Sequence, residues 1–218
     1  MTDADGDLVA YYSARALEYD DIYRKPERQD DLAVLRAVVS EYSADQLVLE
    51  LACGTGYWTQ IIAESAAWVL AVDPSEESVD VARSKVLRDD TVVFEVADAF
   101  EISHDLGGID AVVCGFLWSH IPRQQVRSWM KRLVDTLPTG TRFLFMDNRF
   151  VEASSTPVAE MDSDGNTYQL RRVGDGRVFR ILKNFPSSAE LRGTVESFSH
   201  RIQMTELEYF WLLQFTSR

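Results

Sequence analysis

The chain of 218 residues is poor in the residues that carry metals, crosslinks and phosphate contacts. Two cysteines, Cys53 and Cys114, are too few for a disulfide framework. Histidine occurs only as His104, His120 and His200, and no Cys or His cluster has zinc-like spacing, so no metal is expected. Nowhere do about 18 apolar residues follow one another, and the opening MTDADGDLVA is acidic and lacks an apolar run of signal-peptide length. No membrane segment is expected, and the location expected is cytoplasmic. Basic residues are also scarce, 22 against 35 acidic ones, for a formal net charge of −13. Nucleic-acid binders release counterions with clustered Lys and Arg, and the basic residues here are scattered, which disfavours a DNA or RNA partner. The acidity suits solubility.

What the chain does have is rhythm. Hydrophobic residues make up 46% of it, enough for a sizeable core in one large domain. From Leu47 to Asp147 the apolar runs LVLEL, WVLAV, TVVFEV, DAVVCG and RFLFM alternate with amphipathic stretches. Nearly continuous apolar strands are those that helices cover on both faces, so the pattern predicts an α/β fold with a mostly parallel sheet. Ser75, followed by Glu76 and Glu77, reads as a helix cap, with Val79, Ala82 and Val86 on one face. Pro122 opens another helix marked by Val126, Trp129, Leu133 and Leu137.

The first strand is preceded by an amphipathic face of Leu32, Leu35, Val39 and Tyr42 and by a tyrosine-rich leader, YYSARALEYDDIY, of a kind that folds back over a site. After Asp147, NTYQLRRVGDGRVFRILKNF reads as a β-hairpin about Gly-Asp-Gly, followed by a helix from Ser187 to about Ser197 and an aromatic terminal region. The expected organisation is a single domain: leader and cap helices over 1–45, a core over 46–147, a hairpin insertion over 148–186, and a terminal helix and strands over 187–218.

The first strand runs into Ala52-Cys53-Gly54-Thr55-Gly56. Glycines in such a turn let a ligand lie against bare backbone amides at a helix start. Alone this is weak evidence, because many glycines merely close loops. More specific is a set of acids: Glu50 ends the first strand, Asp73 the second and Asp98 the third. Ligands of open α/β sheets bind beyond the carboxyl ends of the strands, so these acids would line one crevice. An acid at the second strand suits the two hydroxyls of a ribose. One at the third can accept from an adenine amine, and Glu50 is placed to act at longer range on an ammonium or sulfonium group.

VLELACGTGYWT, VDPSEESVDVA, VADAF and DAVVCGFLWSHIP, in that order, resemble the successive motifs of class I S-adenosylmethionine-dependent methyltransferases over about half of the chain. The resemblance implies a Rossmann-like seven-stranded, mostly parallel sheet with an antiparallel last strand, with the hairpin inserted after the fifth. It further implies S-adenosyl-L-methionine as cofactor and S-adenosyl-L-homocysteine as product. The backbone of Ala52, Cys53, Gly54 and Gly56 would face the methionine moiety, Asp73 the ribose, and Asp98, Ala99 and Phe100 the adenine. Glu50, Trp58, Pro74, Ser75, Gly115 and Phe116 complete the expected cofactor set, with Tyr19 from the leader. Ala52 stands where many members have the first glycine. A nicotinamide dehydrogenase is the rival on this fold, but its fingerprint wants a third small residue after Gly56, where Tyr57, Trp58 and Thr59 stand, and no Tyr-x-x-x-Lys pair occurs.

A sulfonium methyl is already activated, so positioning the acceptor contributes most, about 7–11 kcal/mol in well-oriented systems, and no base is obligatory. His120, after the fourth strand, is the candidate base, with a helix-capping or packing histidine as the competing reading. Tyr11, Tyr12, Tyr19 and Tyr23, with Phe116 and Trp118, either pack the leader or form an apolar, cation-attracting lid. Asn148, Arg149, Tyr168, Arg171 and Arg172 come from the segment that family members vary to shape acceptor pockets, and an arginine there suits a carboxylate or phosphate. No Asn-Pro-Pro-Tyr marks a base methylase. The acceptor expected is a small molecule. A non-catalytic cofactor-binding relative and a protein or RNA methyltransferase remain the alternatives, and the oligomeric state is open, a homodimer included.

Overall fold

In the computed structural model, residues 3–85, 90–101 and 106–218 are described, with side chains from residue 8 onward. Val86 and His104 lie outside the described residues. Helix α1 (Asp3–Arg15), short 3-10 turns over Tyr19–Arg24 and Pro26–Arg28, and helix α2 (Gln29–Ser43) precede strand β1 (Leu47–Leu51). Then follow α3 (Tyr57–Ser65), β2 (Trp68–Asp73), α4 (Glu76–Lys85), β3 (Val92–Val96) and β4 (Ala111–Gly115). A 3-10 turn over Trp118–His120 leads to α5 (Arg123–Asp135) and β5 (Arg142–Asn148). Three short strands come next, β6 (Glu160–Met161), β7 (Thr167–Arg172) and β8 (Val178–Leu182). Helix α6 (Ser188–Val195) and strands β9 (Ser199–Glu206) and β10 (Phe210–Ser217) end the chain.

The main sheet has seven strands in the order β3-β2-β1-β4-β5-β10-β9. Strands β1 to β5 pair in parallel, and β10 runs antiparallel between β5 and β9. Its apolar runs bury both faces because successive strand residues point to opposite sides. Val48, Val113 and Leu144 face one core with Leu32, Leu35 and Val39 of α2 and Ile62 of α3. Leu49, Val112, Phe143 and Phe145 face the other with Trp129, Met130 and Leu133 of α5 and Leu191 of α6. Each fully buried Leu, Ile or Phe contributes about 1.5–3 kcal/mol, so the sheet interior dominates stability.

Helix starts follow local chemistry. The Ser75 hydroxyl accepts from Ser78 N at 3.1 Å at the head of α4. A reciprocal capping box joins Ser187 and Glu190 at α6. Gly56 starts α3 with φ +78, and a Cβ there would lie 2.8 Å from Ala82 Cβ. That glycine is demanded by the approach of α4.

The hairpin β7–β8 turns about Gly174-Asp175-Gly176, with β6 added beside β7. This small sheet is fastened to the main domain by buried polar contacts. Asn184 N donates to Ser119 O at 2.7 Å and Asn184 Nδ2 to Ile121 O at 3.1 Å. On its other side Val173, Phe179 and Ile181 pack against Tyr11 of α1. The leader helix thus spans the gap between small sheet and large.

Candidate active site

Order reverses between β1 and β4, since β2 and β3 lie to one side of β1 while β4 and β5 lie to the other. In open α/β sheets ligands bind at such a switch point, beyond the strand ends. A cavity lies there. Its floor is Ala52, Cys53, Gly54 and Thr55 after β1, its sides are Asp73, Pro74, Ser75 and Ser78 after β2 and Gly115, Phe116 and Leu117 after β4, and its roof is Leu8, Val9, Tyr12, Tyr19 and Tyr23.

The β1 turn is wound tightly. Ala52 (φ +54) and Gly54 (φ +53) both take left-handed backbone, which for alanine costs about 1–2 kcal/mol. A Cβ added at Gly54 would meet nothing within 4 Å, so the backbone there borders open space. Phe116 is also left-handed, at φ +65. Non-glycine residues held this way cluster at functional sites.

Asp73 braces the turn. Its carboxylate accepts Gly54 N and Ser75 N, each at 2.9 Å. Burial nevertheless pushes the carboxyl up to about 6. Glu50 is buried at the end of β1, and its Oε2 has no hydrogen-bond partner among the described residues. Burial, and to a lesser degree nearby Asp73, push Glu50 up to about 8. Glu50 itself does not line the cavity, and raised this far its carboxyl is neutral near pH 7.

A second cavity of about 490 Å³ adjoins the first, and Tyr12, Tyr19, Tyr23 and Phe116 line both. Its other walls come from the leader, the segment after β5 and the small sheet, including Lys25, Arg28, Asn148, Gln169, Arg171 and Lys183. Lys183 is buried against Asp147 (2.9 Å) and the Ser119 hydroxyl (2.5 Å). Burial lifts Asp147, but the Lys183 ammonium and the N–H of Ser119 outweigh it and hold the carboxyl below its usual range.

At the junction, Tyr12 Oη and His120 Nε2 are 2.8 Å apart, and His120 Nδ1 is 2.6 Å from Leu182 O. A carbonyl only accepts, so Nδ1 carries the proton and Nε2 accepts from the tyrosine. Burial, with Lys183 and Arg171 nearby, holds the imidazole well below its ordinary value, and it is neutral. Burial lifts Tyr12 to about 12 despite Arg171.

Residues 48–140 match the family described as "Methyltransferase domain". A structure of DhpI in complex with SAM and HEP is 28% identical, covering 99% of this chain and 98% of that one, with a TM-score of 0.78. The DhpI-SAH complex superposes with a TM-score of 0.77 at 27% identity, over 100% of this chain and 98% of the other. A demethylmenaquinone methyltransferase of Clavibacter sepedonicus is 28% identical over 77% of this chain. The chain is thus similar to the class I S-adenosylmethionine-dependent methyltransferases. It spans 64% of the length of the Clavibacter relative.

Around these cavities, the residues singled out by sequence divide. Tyr19, Ala52, Cys53, Gly54, Trp58, Asp73, Pro74, Ser75, Gly115, Phe116 and His120 line the first cavity. Gly56 does not, and packs on α4 instead. Asp98, Ala99 and Phe100 also stand outside the lining. Asp98 accepts Phe100 N at 2.9 Å, Ala99 O accepts Trp129 Nε1 at 3.2 Å, and the Phe100 ring lies 5.5 Å from that of Trp129. Of the lid candidates, Tyr11 in the leader packs on Phe179, while Trp118 after β4 packs between Phe145 and Trp211 in the core.

Of the acceptor candidates, Asn148, Arg171 and Arg172 reach the second cavity. Arg149 pairs with Glu206 at 3.4 Å and Tyr168 with Asp162 at 3.0 Å, both elsewhere. Lys25, Arg28, Gln169 and Lys183 escaped sequence reasoning. Only Lys183 carries a signal, as the third member of an alternating set with Phe179 and Ile181 whose face meets the leader. The free thiols Cys53 and Cys114 are buried, and burial pushes both up, so they are inert fillers. No helix among the described residues is long and apolar enough to cross a membrane.

Proposed function

We propose that the protein transfers the methyl group of S-adenosylmethionine to a small molecule held in the second cavity, by in-line displacement. The observation that carries this reading is the shared wall of Tyr12, Tyr19, Tyr23 and Phe116, which puts the two cavities in register at one junction. The volume of about 490 Å³ suits a small organic molecule. Among the similar structures, DhpI is seen in complex with SAM and HEP or with SAH.

The residues fit the cofactor. Gly54 offers bare backbone to the methionine end, and Asp73 accepts from ribose hydroxyls. When bound, S-adenosylmethionine supplies a methyl group already activated by a sulfonium centre. The aromatic rings at the junction exclude water and attract a cation. His120, with both nitrogens engaged, is a positioning residue here, holding the Tyr12 hydroxyl at the junction through a 2.8 Å bond.

Isothermal calorimetry with S-adenosylmethionine and S-adenosylhomocysteine tests the reading. Stoichiometric binding of both, tighter than about 1 mM, is expected. Failure to bind either one removes the proposal.

A further inference from the structure

The larger cavity carries a charge pattern opposite to that of the whole chain. Its wall holds Arg15, Lys25, Arg28, Arg171, Arg172 and Lys183 against one carboxylate, Glu18, in a protein whose net charge is −13. Lys183 is neutralised by Asp147. The other inward cations are held by neutral acceptors. Lys25 Nζ donates to Ser154 O at 2.9 Å, Arg28 to Ser154 Oγ at 2.9 Å and Asn148 Oδ1 at 3.2 Å, and Arg171 to Gln169 Oε1 at 2.7 Å. Such partners fix the side chains, and for Lys25 and Arg28 the nearby Glu27 offsets the cost of burial only in part. Lys25, Arg28 and Arg171 are all half-buried, where uncompensated charge is costly, and burial first of all lowers Lys25 and Arg28. An anion entering the cavity would relieve that cost.

A second, independent feature is that no group at the junction, among the described residues, is free to take a proton. His120 uses both ring nitrogens, the Tyr12 hydroxyl donates its hydrogen bond to His120, Asp147 is tied to Lys183, and Glu18 is exposed. An alcohol or ammonium acceptor has a proton to shed at the junction. An oxyanion has none.

We propose, resting on the methyl-transfer reading above, that the second cavity binds an organic acid whose anionic oxygen, on a carboxylate or a phosphate-type group, is itself the methyl acceptor. Arg171, Lys25 and Arg28 supply the field that holds the oxyanion, with Arg171, nearest to Tyr12, on the junction side. The acceptor oxygen gives an electron pair to the methyl carbon as the carbon–sulfur bond breaks. That bond's pair stays on sulfur, which becomes a neutral thioether, and no proton moves. The ester formed carries one negative charge fewer than the acid, so the same cations hold it less tightly and favour its release.

The test is binding to the whole chain with no cofactor present, using phenyl phosphate, benzoate and the neutral benzyl alcohol as probes in calorimetry at low and high salt. At least one anion is expected to bind about ten-fold or more tighter than benzyl alcohol and to weaken with salt, and the tighter of the two identifies the oxyanion type. Arg171→Gln and Arg28→Gln should each weaken that anion about ten-fold while leaving S-adenosylhomocysteine affinity within about two-fold of wild type. Anions that bind no better than benzyl alcohol, or unchanged anion affinity in both variants, overturn the proposal. Loss of S-adenosylhomocysteine binding by the wild-type chain sinks the methyl-transfer reading instead, so the two failures are separable.

Discussion

The two cavities share an aromatic partition yet are built on opposite principles. On the nucleoside side, Asp73 is the strand-end acid that borders the turn of small residues, and one carboxyl oxygen of the buried Glu50 is left without a partner among the described residues. On the other side, cations drawn from the leader and the small sheet are each anchored by hydrogen bonds before any ligand arrives. The first wall is an unfinished hydrogen-bond set, and the second is a finished one with charge to spare. A protein of net charge −13 therefore contains a positive chamber, because whole-chain charge says little about where individual charges face.

Variants on each side should break different things. The largest effect is expected at Lys183→Met, which leaves Asp147 buried and uncompensated. Urea unfolding should show a loss of about 3–5 kcal/mol, mostly recovered by adding Asp147→Asn. A loss below about 1 kcal/mol would mean that the anchored wall is not structural. Next comes Asp73→Ala on the opposite side, which should cut S-adenosylhomocysteine affinity about 10²-fold by removing charge-assisted hydrogen bonds, with phenyl phosphate affinity unchanged. Parallel loss of both ligands would erase the distinction between the cavities.

A third effect, spread over pH, concerns Glu50. Its carboxyl keeps its proton up to about pH 8 when folded, against an ordinary value of 4.5. Across that window the folded chain holds a proton that the unfolded chain has lost, so stability falls as pH rises, by up to about 1.4 kcal/mol per pH unit. Below the window both states are protonated, and above it both are ionised. Glu50→Gln should flatten the fall in urea midpoint between pH 5 and 8. An unaltered slope would place the burial penalty elsewhere.

The nucleoside side was readable in the sequence because its signals are local. Runs such as LVLEL and DAVVCG announce strands buried on both faces, Ser75 and Ser187 announce helix starts, and Asp73 sits where a strand end must be. Gly56 was legible as a glycine but not as a contact, since its neighbour Ala82 is brought in only by the packing of α4. The left-handed backbone of Ala52 and Phe116 leaves no mark on composition. The cationic side was hidden for a further reason. Lys25 and Arg28 sit in YRKPERQD, which reads as a solvated charged turn, and they become cavity residues only when Ser154, far along the chain, closes over them. Arg171 and Arg172 were distinguishable as a pair, but their unequal surroundings emerge only once Gln169 and Tyr11 are in place beside the first.

Helix α1 touches the large sheet through Ser13 and Ser75 at 2.8 Å, the small sheet through Tyr11 and Phe179, and the junction through Tyr12. The ceiling of both chambers is thus written in a stretch of chain that adds no strand to either sheet. Evolution can redraw which molecules meet beneath it by editing a few leading residues, leaving the load of folding to the strands below.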